Sequence, residues 1–400
     1  MITVLADRHH YQLERHLHPS IRFVPYDPIA GWTVDQVRQA DALLVRTTNA
    51  VNSSTLPEGS RVRFVATASA GRDHLDEAWL ERLGITVADA KGSNARSVAE
   101  YVAIAVLSAC DDLKRSPRGL TAGVVGAGFT GTATADLLGR IGVTCKRHDP
   151  PREERERERK KNPESARSSG LQQQDAAQNP FRSASLQEVL GCDIITLHVP
   201  LERGGPHTTW HWLDGEKLAS VKPGAMVINA SRGGVADEQA LLASHRQGHL
   251  SGFACDVWEG EPVFSDITAQ RARLSTPHIA GYSIEAKRNA SQMMCEALHR
   301  FFDLPDPAAG TELPRRQKLP EDLDSLRDVL SHVHPASTYD SALRRIIGTP
   351  DPEKGPAFLR LRQDTPLRNE FRQIALPSGV MDRHPVLMSL GFPISETQIT

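Results

Sequence analysis

Leu120-Thr121-Ala122-Gly123-Val124-Val125-Gly126-Ala127-Gly128-Phe129-Thr130-Gly131 is the stretch on which the fold turns. Its apolar first half suits a strand buried on both faces of a parallel sheet. The glycines follow in the spacing G-x-G-x-x-G, and Thr132 to Arg140 then carries Ala133, Leu137 and Leu138 on one helical face. Each glycine has its own physical task. Gly126 permits a tight turn from strand to helix, Gly128 lets a pyrophosphate approach the backbone, and Gly131 lets the helix pack close to the strand. The helix N-terminus adds free N–H groups and the positive end of its dipole, both favourable to phosphate. A second strand is expected over Gly142 to His148, ending in Asp149, where a carboxylate would meet the hydroxyls of an adenosine ribose. The parts arrive in order, so the spacing predicts a dinucleotide-binding βαβ unit.

The chain on either side continues the alternation of strand and helix. Its 400 residues suit two or three domains. Residues 1–93 read as an α/β unit of short strands, Ile2–Leu5, Ile21–Val24, Ala42–Val45, Val62–Ala68 and Ile85–Val87, with a helix over His74 to Leu83. A long helix is expected from Ala95 to about Asp112. Residues 94–280 read as the dinucleotide domain, a doubly wound parallel sheet with further strands at Asp193–His198, Ala225–Asn229 and Gly252–Asp256. An insertion at 152–180 is Arg/Glu-rich and then Ser/Gln/Asn-rich, so it reads as a solvated loop or a short charged helix with a disordered tail. An amphipathic helix over Ser283 to Leu304 is stopped by Pro305 and Pro307. Residues 305–400 form a third region without a nucleotide motif, suited to regulation or subunit contact.

Composition narrows the class. A formal net charge of −2 gives no broad basic field for nucleic acid or a membrane surface. Cys110, Cys145, Cys192, Cys255 and Cys295 are dispersed and odd in number, which suits reduced thiols in a cytoplasmic protein. The opening Met1-Ile2-Thr3-Val4-Leu5 reads as a strand and not as a signal peptide, and no apolar run is long enough to span a bilayer. His9, His10, His16, His18 and the pair His207 and His211 have the look of metal tracts. Without nearby cysteines or a matching carboxylate pattern, they are expected to be solvated or hydrogen-bonded, and no metal site is expected.

Polar clusters follow the expected strands of the dinucleotide domain. Ile228-Asn229-Ala230-Ser231-Arg232-Gly233-Gly234 ends in an arginine able to grip a carboxylate bidentately. Cys255-Asp256-Val257-Trp258-Glu259-Gly260-Glu261-Pro262 offers Asp256 for the nicotinamide side of a cofactor and Glu261 to orient a histidine. Thr276-Pro277-His278 supplies that histidine. Oxidation of a 2-hydroxy acid needs a base for the hydroxyl proton, a carboxylate behind the base and a cation for the substrate carboxylate. Arg232, Glu261 and His278 supply all three.

With these motifs the sequence resembles the D-isomer-specific 2-hydroxyacid dehydrogenases over roughly residues 40 to 300. The resemblance rests on the glycine turn with Asp149, on Asn229 to Gly234, on the 255–262 loop and on Pro277-His278. It implies a Rossmann-like doubly wound domain, a flavodoxin-like α/β substrate domain over 1–93 completed by about 281–304, and a C-terminal α+β dimerisation domain over 305–400. It implies His278 as acid/base, Glu261 as its partner and Arg232 as the substrate anchor. Thr47, Ser69 and Tyr282 match substrate-contacting positions. Gly126, Gly128, Phe129, Thr130, Gly131, Asp149, Val199, Ala230, Ser231, Arg232, Asp256 and Gly281 match positions that hold NAD. Phe129, Thr130 and Val199 differ from the usual residues there, so only backbone contacts would survive. Narrower marks, among them Asp149-Pro150-Pro151-Arg152 and His278-Ile279-Ala280-Gly281-Tyr282, imply a small phosphorylated hydroxy-acid substrate, a homodimer and a cytoplasmic biosynthetic role. A phosphoglycerate-type or other D-2-hydroxyacid substrate stays open, as does a non-catalytic NAD(H)-sensing protein on the same fold.

Overall fold

A computed structural model describes residues 1–161, 181–306, 317–320 and 323–395. The chain divides into two compact units. The first comprises Met1–Ser97, Tyr282–Arg316 and Leu367–Glu370; the second comprises Val98–Gly281, Gln317–Pro366 and Phe371–Thr400.

In the first unit, β1 (Ile2–Asp7), β2 (Ile21–Tyr26), β3 (Ala42–Val45), β4 (Phe64–Thr67) and β5 (Thr86–Asp89) form one parallel sheet in the order β2-β1-β3-β4-β5. This is the flavodoxin-like order. Side chains alternate between the faces. Leu5, Leu43, Val45 and Val65 meet Leu56 and Leu80 on one side. Val4, Leu44, Phe64 and Ala66 meet Met294, Cys295 and Leu298 of the helix Ile284–Phe301 on the other. The late helix therefore covers a sheet built from the start of the chain. The helix expected from His74 begins instead at Glu77, because the Asp76 carboxylate caps it by accepting the Trp79 N–H at 3.0 Å. His74 lies outside the helix, its ring bonded to the Thr67 hydroxyl at 3.0 Å.

In the second unit, β6 (Thr121–Val125), β7 (Thr144–His148), β8 (Ile194–Leu197), β9 (Met226–Asn229), β10 (Gly252–Cys255) and β11 (Leu274–Ser275) form a parallel sheet in the order β7-β6-β8-β9-β10-β11. After β7 the chain crosses back over β6 and adds strands on its far side. The boundary between β6 and β8 is thus a topological switch point, where α/β sheets open a crevice at their carboxyl ends. The helix Ala95–Asp112 buries Tyr101, Val102, Ala105 and Val106, on a face shared with Ala122, Ile194 and Ile228 of the strands. Beyond residue 316, Val329, Leu330, Leu387 and Leu390 join that face, while Leu343 and Phe358 join the opposite one. The described elements of this C-terminal region are mainly helices, with the paired two-residue strands Gln317–Lys318 and Ile374–Ala375. The charged insertion begins as the helix Pro150–Lys161; its Ser/Gln/Asn-rich part, 162–180, lies outside the described residues. Among the described residues, no helix is long and apolar enough to cross a membrane.

Candidate active site

The glycine turn closes β6 onto the helix Phe129–Arg140, one turn earlier than its apolar face suggests, because Gly128 serves as N-cap. Gly126 has φ +91°, and a Cβ there would lie 2.5 Å from the His198 carbonyl oxygen and 2.9 Å from a Val199 methyl. A Cβ on Gly131 would lie 1.8 Å from the Gly126 oxygen. Gly128 has nothing within 4 Å of its Cβ position, so the space over the helix N-terminus is open. The turn thus leaves a cradle at a helix N-terminus, which suits the pyrophosphate of a dinucleotide. Phe129 is exposed and Thr130 half-buried at its lip. Asp149 stands at the end of β7, its carboxylate accepting the Ala127 N–H at 2.8 Å and the Arg152 N–H at 2.9 Å. The same residue therefore ties the glycine turn to the start of the charged helix. Arg152 also donates to the Ala127 carbonyl and lies over the Phe181 ring, so the start of the charged helix packs beside the glycine turn.

At the end of β9, Asn229 shapes the Arg232 turn. Its amide oxygen accepts the Ser231 N–H at 3.2 Å and the Ser231 hydroxyl at 2.9 Å, and its NH2 donates to the Arg232 carbonyl at 2.9 Å. Ala230 and Ser231 are buried, whereas Arg232 is half-buried, donating to the Ser231 carbonyl at 2.8 Å. The two glycines that follow are required by close approach. A Cβ on Gly233 would lie 1.9 Å from the Trp258 carbonyl oxygen, and one on Gly234 would lie 2.2 Å from the Trp210 ring.

Asp256, at the end of β10, is buried, with hydrogen bonds to both carboxylate oxygens. Its carboxylate accepts the Thr276 hydroxyl at 2.6 Å, the Ile279 N–H at 2.8 Å and the Ala280 N–H at 2.9 Å. Its backbone carbonyl accepts the His278 N–H at 2.7 Å. Burial raises its carboxyl above the ordinary range, opposed by the His278 charge and these donors. Asp256 is therefore the clamp of the loop that presents His278 and leads to Gly281. Tyr101 backs that clamp with its hydroxyl 2.9 Å from the Thr276 hydroxyl, and the Trp258 indole donates to the Thr276 carbonyl at 3.0 Å.

His278 has φ +57°, a left-handed conformation that a non-glycine residue adopts at some cost. Its Nδ1 lies 2.7 Å from the Glu261 carboxylate, whose other oxygen accepts the Trp258 N–H at 2.9 Å. Burial alone would raise the Glu261 carboxyl. The His278 charge and hydrogen bond, with Arg362 and the Trp258 N–H, hold it below the usual range. A histidine so held is oriented and polarised for proton transfer through Nε2.

Arg232, Glu261, His278 and the cofactor candidates from Gly126 to Gly281 all belong to the second unit. Thr47, Ser69 and Tyr282 belong to the first. Thr47 is exposed just after β3, and Ser69, just after β4, donates its hydroxyl to the Gly71 carbonyl at 2.5 Å. The Lys287 ammonium sits 3.6 Å from the centre of the Tyr282 ring.

Several supporting residues were illegible in the sequence because their partners are distant along it: Tyr101, Thr276, Trp210 and Glu238. Carboxylates do approach one of the histidines set aside as metal tracts, for His211 lies with Asp237 and Glu259 within 4.8 Å. Burial pushes the neighbouring Glu238 carboxyl up to about 7, against the Glu259 N–H that favours its charged form. Its folded value is raised, so its contribution to stability is full below the unfolded value and is lost as pH rises through about 7. A shift from the ordinary 4.5 to about 7 corresponds to roughly 3 kcal/mol. Glu238→Gln keeps an oxygen for the Glu259 N–H and removes the charge. Its melting temperature is expected to exceed that of the parent at pH 8, the gap closing by pH 5; an equal gap at both pH values would refute the assignment.

The D-isomer specific 2-hydroxyacid dehydrogenase NAD binding domain family matches residues 165–280. An erythronate-4-phosphate dehydrogenase of Marinobacter nauticus is 40% identical over 354 residues, 84% of this chain and 85% of that protein. One from Escherichia coli is 34% identical over 376 residues, 92% of each. Among solved structures, the NAD+-bound 3-phosphoglycerate dehydrogenase of Entamoeba histolytica superposes with a TM-score of 0.58 at 19% identity, covering 76% of this chain and 95% of that one. At that identity the likeness establishes the shared fold.

Proposed function

Because the chain belongs to the erythronate-4-phosphate dehydrogenases of the D-isomer specific 2-hydroxyacid dehydrogenase family, we propose that it oxidises 4-phospho-D-erythronate at C2 to 2-oxo-3-hydroxy-4-phosphobutanoate, serving pyridoxal 5'-phosphate synthesis. It is an NAD-dependent oxidoreductase acting on a CH–OH group. The observation that carries the assignment is the His278–Glu261 pair at 2.7 Å, held by the Asp256 clamp at the carboxyl end of the sheet that also carries the glycine turn and Arg232.

In this reading Arg232 grips the substrate carboxylate and so aims C2 and its hydroxyl at His278. His278 Nε2 takes the hydroxyl proton. Glu261, on Nδ1, fixes the tautomer that leaves Nε2 free and stabilises the imidazolium that forms. Bound NAD supplies the acceptor for the hydride that leaves C2. The residues that would hold it are Gly126, Gly128, Phe129, Thr130 and Gly131 at the pyrophosphate turn, Asp149 at the ribose, and Val199, Ala230, Ser231, Arg232, Asp256 and Gly281 along the strand ends. Thr47, Ser69 and Tyr282 are the substrate-binding candidates that the family resemblance supplies. The enzyme works as a cytoplasmic homodimer, with residues 305–400 supplying the subunit contact; five unpaired cysteines suit a reducing compartment.

The test is NAD reduction by the purified protein with 4-phospho-D-erythronate and 3-phospho-D-glycerate in parallel, each with and without 2-oxoglutarate to reoxidise retained NADH. Product is followed directly. The four-carbon ester is expected to be oxidised with a kcat/KM at least about a hundredfold higher, a difference of a few kcal/mol in transition-state binding. Preference for the three-carbon ester would keep the mechanism and overturn the substrate. NAD binding without turnover of either would favour a sensor.

A further inference from the structure

His211 lies outside the proton-transfer pair, yet it touches both loops that carry the chemistry. Its backbone N–H donates to the Gly234 carbonyl at 2.7 Å, two residues beyond Arg232. Its Nε2 lies 2.8 Å from the Glu259 carboxylate, two residues before Glu261, and its Nδ1 lies 3.7 Å from Asp237. The two ring nitrogens address different carboxylates, so the ring bridges them.

The surroundings hold this bridge rigid. The imidazole stacks on Trp210 with centroids 4.5 Å apart and planes 15° apart. The Trp210 ring fills the space over Gly234, and the Arg203 guanidinium sits 3.6 Å from the centre of the same ring. Glu259 is fixed a second time, since its N–H donates to Glu238 at 2.5 Å. His211 itself has φ +49°, a conformation retained only where the surroundings over-determine it. The sequence between β8 and β9 thus reaches across to the turns after β9 and β10 and fastens them to each other. Those turns carry Arg232 and Glu261.

We propose that His211 is a positioning residue for the dehydrogenase reaction. It sets the separation between the Arg232 anchor for the substrate carboxylate and the Glu261–His278 pair. The inference rests on the dehydrogenase reading given above. It assigns His211 no contact with the substrate or with NAD.

The test compares His211→Leu, His211→Gln, Glu259→Gln and the double variant His211→Leu/Glu259→Gln in the full-length protein. Turnover of 4-phospho-D-erythronate, its calorimetric affinity, the affinity for NAD and the melting temperature are measured for each. His211→Leu is expected to lower kcat by about ten- to a hundredfold and to weaken the hydroxy acid, with NAD affinity within about twofold of the parent. His211→Gln keeps a donor towards Glu259 and is expected to recover most of the loss. The double variant is expected to be no worse than His211→Leu, because both changes break one connection. Parent-like turnover in His211→Leu, or losses that add in the double variant, would overturn the proposal. So would a loss of turnover matched by equal losses of NAD binding and folded protein in both His211 variants. A parent protein inactive on the erythronate ester but active on 3-phospho-D-glycerate would sink the substrate reading alone, and the same variants are then compared on that acid.

Discussion

His278→Asn is expected to lower kcat by about a thousandfold or more while NAD still binds with parental affinity. The size follows from the role: loss of a positioned general base costs on the order of a hundred- to ten-thousandfold. Asparagine is the substitution of choice because it tolerates the left-handed backbone found at φ +57°. It also leaves the Asp256 clamp in place, since Asp256 binds Thr276, Ile279 and Ala280 and takes only the backbone N–H of residue 278. Steady-state turnover with parallel titration of NAD checks it. Turnover within tenfold of the parent would remove His278 from the mechanism. Equal loss of NAD binding would mean that the variant had disturbed the loop instead.

Gly131→Ala and Gly128→Ala are expected to fail in different ways. A methyl group on Gly131 would meet the Gly126 carbonyl oxygen at 1.8 Å, a backbone atom that cannot swing aside. The helix must then move off the strand, so the variant is expected to lose at least about 1–3 kcal/mol of stability together with NAD binding. A methyl group on Gly128 meets nothing within 4 Å. That variant is expected to melt with the parent yet to bind NAD at least about tenfold more weakly, because its methyl group occupies the space left for the pyrophosphate. Thermal melts and NAD titrations on both proteins separate the two outcomes. A Gly128→Ala protein with parental NAD affinity would place the pyrophosphate elsewhere.

This pair shows what local sequence can and cannot convey. The spacing G-x-G-x-x-G announces a close approach, and the structure identifies which atoms approach: the backbone for Gly131, the His198 carbonyl for Gly126, and open space for Gly128. The Asn229–Arg232 turn was equally legible, since its hydrogen bonds run between residues at most three apart. Asp256 was noticed as a polar residue at a strand end. Its bonds to Thr276, Ile279 and Ala280 span 20 or more positions, so its part as the clamp of the His278 loop was invisible. His211 was set aside as a histidine without carboxylates, and both carboxylates beside it come from loops far along the chain.

By itself, then, the sequence conveyed the α/β character of both units, the parallel sheet of the second, the dinucleotide turn, and His278, Glu261 and Arg232 as candidates for a base, its carboxylate and a substrate anchor. Hydrophobic periodicity and turn chemistry are short-range, and a chain carries them within a few residues. Only the tertiary structure decided the strand orders and the assignment of residues 317–366 and 371–400 to the second unit. It alone decided the 2.7 Å contact between His278 and Glu261 and the His211 bridge between the two catalytic turns. Those features depend on which buried faces meet when the sheet closes, and no run of neighbouring residues encodes that.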